Sequence, residues 1–227
     1  MLELLRVTVA RYLGRVWTAL PVSLLADSDG HVARVQSTIK ARQLNPDGFT
    51  YKDVVIGDPN KGLGGETPVV HPSGGGYSLT FPHKKGDEGV ALFSTLCIDG
   101  WWDKGGVQPQ TDIRRHNLSD SIFLPGIRSN PRKLSPAPSS SNAQFRSDDG
   151  SILIELDKQN NRVRIVVPSG QWVRIEGNLQ VTGSVIAGHG TADQVALQTH
   201  THSETMSGGS MSGSPTAGTR REDDGAE

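Results

Sequence analysis

The chain has 227 residues, 23 of them basic and 24 acidic, giving a formal net charge of -1 at pH 7. So even a balance excludes an overall electrostatic pull toward nucleic acid or an anionic membrane surface. Its single cysteine, Cys97, excludes an intramolecular disulfide and a cysteine-based zinc cluster, while 27 glycines and 5% aromatic residues indicate a turn-rich, largely β chain with a modest core.

At the amino terminus Leu2, Leu4, Leu5, Val7, Val9 and Ala10 are interrupted by Glu3 and Arg6, with Arg11 and Arg15 following. These charges break the apolar core that a signal peptide needs, and no apolar run reaches membrane-spanning length. Residues 1–15 therefore read as a docking segment, a short amphipathic helix or a strand that sets against another subunit.

Strand-like residues at 16–25 and 32–41 flank Asp27-Ser28-Asp29-Gly30, whose Asp-Gly pair marks a hairpin. A third strand is predicted at 49–56, after the turn Asn45-Pro46-Asp47-Gly48. The Gly/Pro-rich stretch 57–76 lacks the phosphate-loop pattern, because Lys61 is not followed by Ser or Thr and no amphipathic helix comes next. It reads as a loop before a strand at 77–81. A polar turn at 82–89 leads to 90–98, the most apolar strand of this half, within which Cys97 reads as a buried small hydrophobe.

Five strand-like segments, with no long helix, predict a small Greek-key barrel of the OB type over 16–130. Such barrels bind oligonucleotides through basic, aromatic faces. Here the adjacent pair Trp101-Trp102, in a Gly-flanked loop, reads as core or intersubunit packing. The cluster Asp112-Ile113-Arg114-Arg115-His116-Asn117 reads as charges that fix a loop at a domain or subunit boundary, since no activated serine or carboxylate pair is marked by spacing.

Pro131, Pro136 and Pro138, with serines at 135 and 139–141, make 131–145 a linker. Beyond it, Ile152, Ile154 and Leu156 share one parity, Val163, Ile165 and Val167 another, and Val173 with Ile175 follow. That is strand periodicity, punctuated by turn residues at 157–161 and 168–170. Strands so short have a poor core alone. Several identical chains wound about an axis would turn the apolar parity inward and leave no exposed edges, and a homotrimer is the economical arrangement. The alternative is an antiparallel meander on a globular domain.

The run ends at His200-Thr201-His202. Alternate side chains of an extended segment point the same way, so three chains around a threefold axis would offer six imidazoles, an octahedral count that suits iron or nickel better than tetrahedral zinc. The alternative is a pair of exposed histidines in a polar segment. Residues 206–218 are rich in Gly, Ser and Thr, and 220–227 are charged, a composition that predicts mobility in isolation.

The first half also contains Gly74-Gly75-Gly76-Tyr77-Ser78-Leu79-Thr80-Phe81-Pro82, Gly86-Asp87-Glu88-Gly89-Val90, Ile98-Asp99-Gly100-Trp101, Gly105-Gly106, and Arg114-Arg115-His116-Asn117-Leu118-Ser119-Asp120-Ser121 with Pro125-Gly126. In these residues the chain resembles the amino-terminal barrel of the central spike proteins of contractile-tailed bacteriophages, the puncturing devices of the baseplate. The resemblance spans 16–130, and the later β-repeats ending in His-x-His are similar to that family's needle and tip.

The resemblance implies an all-β fold, with an N-terminal OB-type barrel (16–130) and a linker (131–145). An intertwined trimeric β-helix needle (146–197), a metal-binding apex (198–205) and a tail (206–227) would follow. It implies one iron ion per trimer, held by His200 and His202 of each chain, with another transition metal as the alternative. It further implies a virion protein of the tail baseplate, made in the host cytoplasm, that seats on the tail hub and pierces the host outer membrane. No enzymatic activity, catalytic residue, nucleic acid or small-molecule substrate is expected. Unlike the family pattern, this sequence continues well beyond the tip motif. A tail-associated cell-wall hydrolase and an OB-fold nucleic-acid-binding protein are the rival readings.

Overall fold

The computed structural model describes residues 2–14, 16–192 and 194–197. The protein is mostly β. An opening helix α1 (Leu2–Leu13) precedes the strands β1 (Ala19–Leu24), β2 (Val32–Ala33), β3 (Val35–Ser37), β4 (Lys40–Leu44), β5 (Tyr51–Val55), β6 (Thr67–Pro68), β7 (Ser73–Gly74), β8 (Tyr77–Ser78) and β9 (Glu88–Phe93). A short helix α2 (Asp99–Lys104) leads to β10 (Ser121–Pro125), and β11 (Ala143–Arg146), β12 (Leu153–Asp157) and β13 (Arg162–Val166) follow, with the small pair β14 (Ile186–Ala187) and β15 (Val195–Ala196). No helix among the described residues is long and apolar enough to cross a membrane.

The core of the first half lies on an antiparallel sheet of order β10-β9-β1-β3. Alternation does the sorting: on β9, Gly89, Ala91 and Phe93 point inward, and on β1 Val22 and Leu24 do, so the two strands share one buried face. Val35, Phe123, Ala33, Ile56 and Leu63 complete the cluster, with Trp17, Leu20, Val69 and Leu118 packed at its margin. Gly89 leaves room for Phe123, since a Cβ there would come within 2.5 Å of the ring.

The predicted strand at 32–41 is broken into β2, β3 and β4, and the sheets are small and not closed. A single parallel bridge, Val69 to Phe123, and the two-residue pair β2–β6 join the far side to β10. The stretch read as a plain loop, 57–76, contributes to the interior: Leu63 and Thr67 are buried, and the Thr67 hydroxyl lies 2.9 Å from that of buried Ser121. Its Gly57, Gly62 and Gly64 serve close packing. A Cβ on Gly64 would sit 2.5 Å from the Cα of Ser119.

Two further expectations are corrected. Trp101 and Trp102 stand on α2 and are about half exposed; they are neither in a loop nor in the core. Cys97 is only partly buried, outside β9, with its sulfur 3.3 Å from the Thr111 hydroxyl.

The segment 112–117 does fix the loop before β10. Arg114 forks onto fully buried Asp120, Nε to Oδ2 and Nη2 to Oδ1 at 2.8 Å each, and Nη2 also donates to Asp99 at 2.6 Å on the first turn of α2. Asp120 accepts the Ile98 amide as well. One guanidinium therefore ties α2 to the start of β10, in the bidentate geometry that only arginine supplies.

His83 is buried, edge-on to Phe123 with centroids 6.2 Å apart and 5.9 Å from the ring of His71. Its Nε2 and the Nδ1 of His71 are buried without a hydrogen-bond partner in the protein. Burial, and then the neighbouring His71, push the His83 pKa below its ordinary 6.5, against a weaker opposing pull from Asp87. The unfolded chain therefore binds the proton more readily. The stability this contributes is fully present above about pH 6.5 and is lost as pH falls toward the lowered value. Urea midpoints should drop between about pH 7 and pH 5.5, and His83→Leu should flatten that part of the profile, which an unchanged slope in the variant would contradict.

Candidate assembly surface

The strands β11, β12 and β13 form an antiparallel sheet in that order. Its register places Phe145 opposite Ile154 and Ile154 opposite Ile165; the next row on the same face is Ala143, Leu156 and Val163. The other face carries the row Gln144, Glu155 and Arg164, and beside it Asp157 opposite Arg162. The predicted parity at 152–156 and 163–167 is thus found at Ile154, Leu156, Val163 and Ile165, on one side of one sheet, while Ile152 and Val167 lie just outside its strands.

Burial runs opposite to what an ordinary globular sheet shows. Glu155 and Asp157 are 5% and 4% exposed, whereas Ile154 and Leu156 are 45% and 56% exposed. Phe145, Ile152, Val163 and Ile165 are exposed as well.

The polar face is satisfied within the chain. Glu155 accepts from Gln144 Nε2 at 2.6 Å and from Arg164 Nη1 at 2.8 Å; Asp157 accepts from Asn160 Nδ2 at 2.8 Å and from Arg162 Nε at 2.9 Å. These bonds hold both carboxyls below their ordinary pKa, Glu155 chiefly through Gln144 and then Arg164, Asp157 chiefly through Asn160. Both therefore stay ionised, and the polar side cannot exchange places with the apolar side without breaking these contacts.

The apolar rows reach beyond the sheet. The Phe145 ring lies 6.1 Å from that of Phe81, so the row continues onto the chain's first half. Arg128 also forks onto Asp148 at 2.8 and 2.9 Å, linking the segment after β10 to the turn before β12. Farther along, Val173, Ile175, Leu179 and Val181 are exposed and belong to no strand among the described residues, although strand periodicity was expected for them.

The predicted metal ligands, His200 and His202, lie outside the described residues, as do the whole apex segment at 198–205 and the tail at 206–227. Among the described residues one group combines metal-type donors: Cys97, Asp99 and Asp120, whose ligand atoms lie within 4.8 Å of one another. Arg114 already bonds both of its carboxylates. The group thus reads as an ion-pair network.

Residues 26–126 match the family model described as the phage protein Gp138 N-terminal domain. That match supports a phage structural protein, a component of the virion. No curated protein matches the chain. The matched region includes β3, β9 and β10 of the core sheet but not β1, takes in the β7–β8 hairpin and the Arg114 network, and ends before the β11–β12–β13 sheet.

The bare rows yield a direct test. Ile154→Asp would cost within about 0.5 kcal/mol if the face met water, but more than about 2 kcal/mol if another surface covers it. The larger loss is expected, read as a fall in urea midpoint of the full chain; a midpoint within error of the wild type would show an uncovered face.

Proposed function

We propose that the chain is a homotrimeric tail spike at the centre of a phage baseplate, seated on the tail hub and driven through the host outer membrane when the sheath contracts. The observation that carries this reading is the sheet with its carboxylates inside and its isoleucines outside. Six apolar side chains left half in water forgo on the order of 5 kcal/mol per chain that association would recover. Two further copies would cover these rows, and would supply ladder partners for the alternating residues at 173–181, as an intertwined β-helix needle requires.

Closure of the first half into an OB-type barrel is supported by the β2–β6 pair and the Val69–Phe123 bridge, which link β2, next to β3, by way of β6 to β10. The division into docking segment, barrel, linker, needle, apex and tail follows from this reading. So does the role, which is mechanical and needs no turnover, no small-molecule substrate and no nucleic acid. The spike works in the virion, at the baseplate.

At the apex, His200 and His202 of each chain are the residues that would hold a metal. The donor set fits, since six neutral imidazoles make the octahedral count that iron accepts. When bound, the ion would tie three chain ends together beyond the apolar rows.

Native mass measurement and elemental analysis of the untagged full chain test both parts. Three chains with one metal ion are expected; the double substitution His200→Ala, His202→Ala should remove the ion and leave the trimer. Metal retention should weaken as pH falls below about 6.5, because neutral imidazole is the ligand form. A monomeric mass contradicts the assembly, and one ion per chain, or metal retained after both substitutions, contradicts the axial site.

A further inference from the structure

We infer that the arm Tyr77, Leu79 and Phe81 is a second intersubunit seam, lying against another copy of this chain and carrying the protomer contact from the β11–β12–β13 sheet onto the first half. This rests on the trimeric reading above. The three residues alternate in sequence with Ser78 and Thr80, the spacing that places side chains on one side of an extended segment, and the first of them lies on β8. All three are exposed, Tyr77 to 83%.

The arm is set in place before any partner arrives. It leaves the β7–β8 hairpin, whose turn residues Gly75 and Gly76 have φ of 59° and 85°, a conformation that favours glycine. The Leu79 amide is then bonded to the Pro72 carbonyl at 2.9 Å. A surface held by its own turn and backbone gives up little conformational entropy on association.

Two observations choose the occupant. First, the Phe81 ring stands 6.1 Å from Phe145, in the row that continues through Ile154 and Ile165. A second copy that covers Phe145 therefore meets Phe81 as well. Second, no Asp, Glu, Lys or Arg occurs anywhere in 67–83. Interface centres are depleted of charge and enriched in Tyr and Phe, and an uncharged arm can face its own copy without like charges meeting.

Hydroxyl-radical footprinting of the purified full chain, alongside its native mass, tests the proposal without any substitution. Only this chain is in the sample, and Tyr77 is 83% exposed among the described residues, so strong protection of Tyr77 in a trimer points to another copy. Relative to the urea-unfolded chain, Tyr77, Leu79 and Phe81 should show the protection of the core residue Phe123. A trimer in which Tyr77 stays as reactive as in the unfolded chain overturns the proposal and leaves the trimeric reading standing. A monomeric mass overturns both.

Discussion

On β12 the hydrogen-bonded carboxylates of Glu155 and Asp157 occupy the sheltered face, and this decides which face of the sheet remains for other molecules. Arg162, Arg164, Gln144 and Asn160 each complete part of that polar side, so a one-residue slip of β12 would turn two ionised carboxylates onto the apolar face and set Ile154 and Leu156 among the polar partners. The ion pairs are partly exposed, and contribute little to stability as isolated pairs. Their importance lies in register and facing: the apolar rows are presented outward because the polar rows are already complete.

The first half uses the same device for another purpose. Arg114 and Asp120 satisfy each other in the buried start of β10, and through Asp99 they fix the short helix that displays Trp101 and Trp102. The core sheet thus carries rigid attachments without long helices. Arg128 to Asp148, and Glu88 to the amide and hydroxyl of Ser129, then fasten the segment after β10 to both halves.

How much of this was legible in the sequence depended on whether a residue's partners lie in its own chain. Of the parity runs Ile152, Ile154, Leu156 and Val163, Ile165, Val167, the cross-strand rows show a shared face at Ile154, Leu156, Val163 and Ile165, while Ile152 and Val167 lie just outside the strands. Val173 and Ile175 carry the same period yet lie in no strand, because periodicity reports a face and says nothing of whether a hydrogen-bonding neighbour is present. The six residues of α2 are too few for a helical period to show, and the burial of Leu63 and Thr67 was hidden by the glycines around them, which read as loop while serving close approach. The place of Arg114 was legible as a loop fastener, though its partners Asp99 and Asp120 were not. His200 and His202 lie beyond the described residues, so the apex rests on the spacing of two imidazoles and on the resemblance.

The central claim is that the apolar rows from Phe81 to Ile165 are buried between chains, so that folding of the β11–β12–β13 sheet and assembly are one event. The most direct measurement is the unfolding midpoint of the full chain as a function of its concentration. Mass action requires the midpoint of an associating chain to rise with concentration. The account predicts such a rise, with the slope expected for three chains; a midpoint independent of concentration across the accessible range, in a reversible transition, would contradict it.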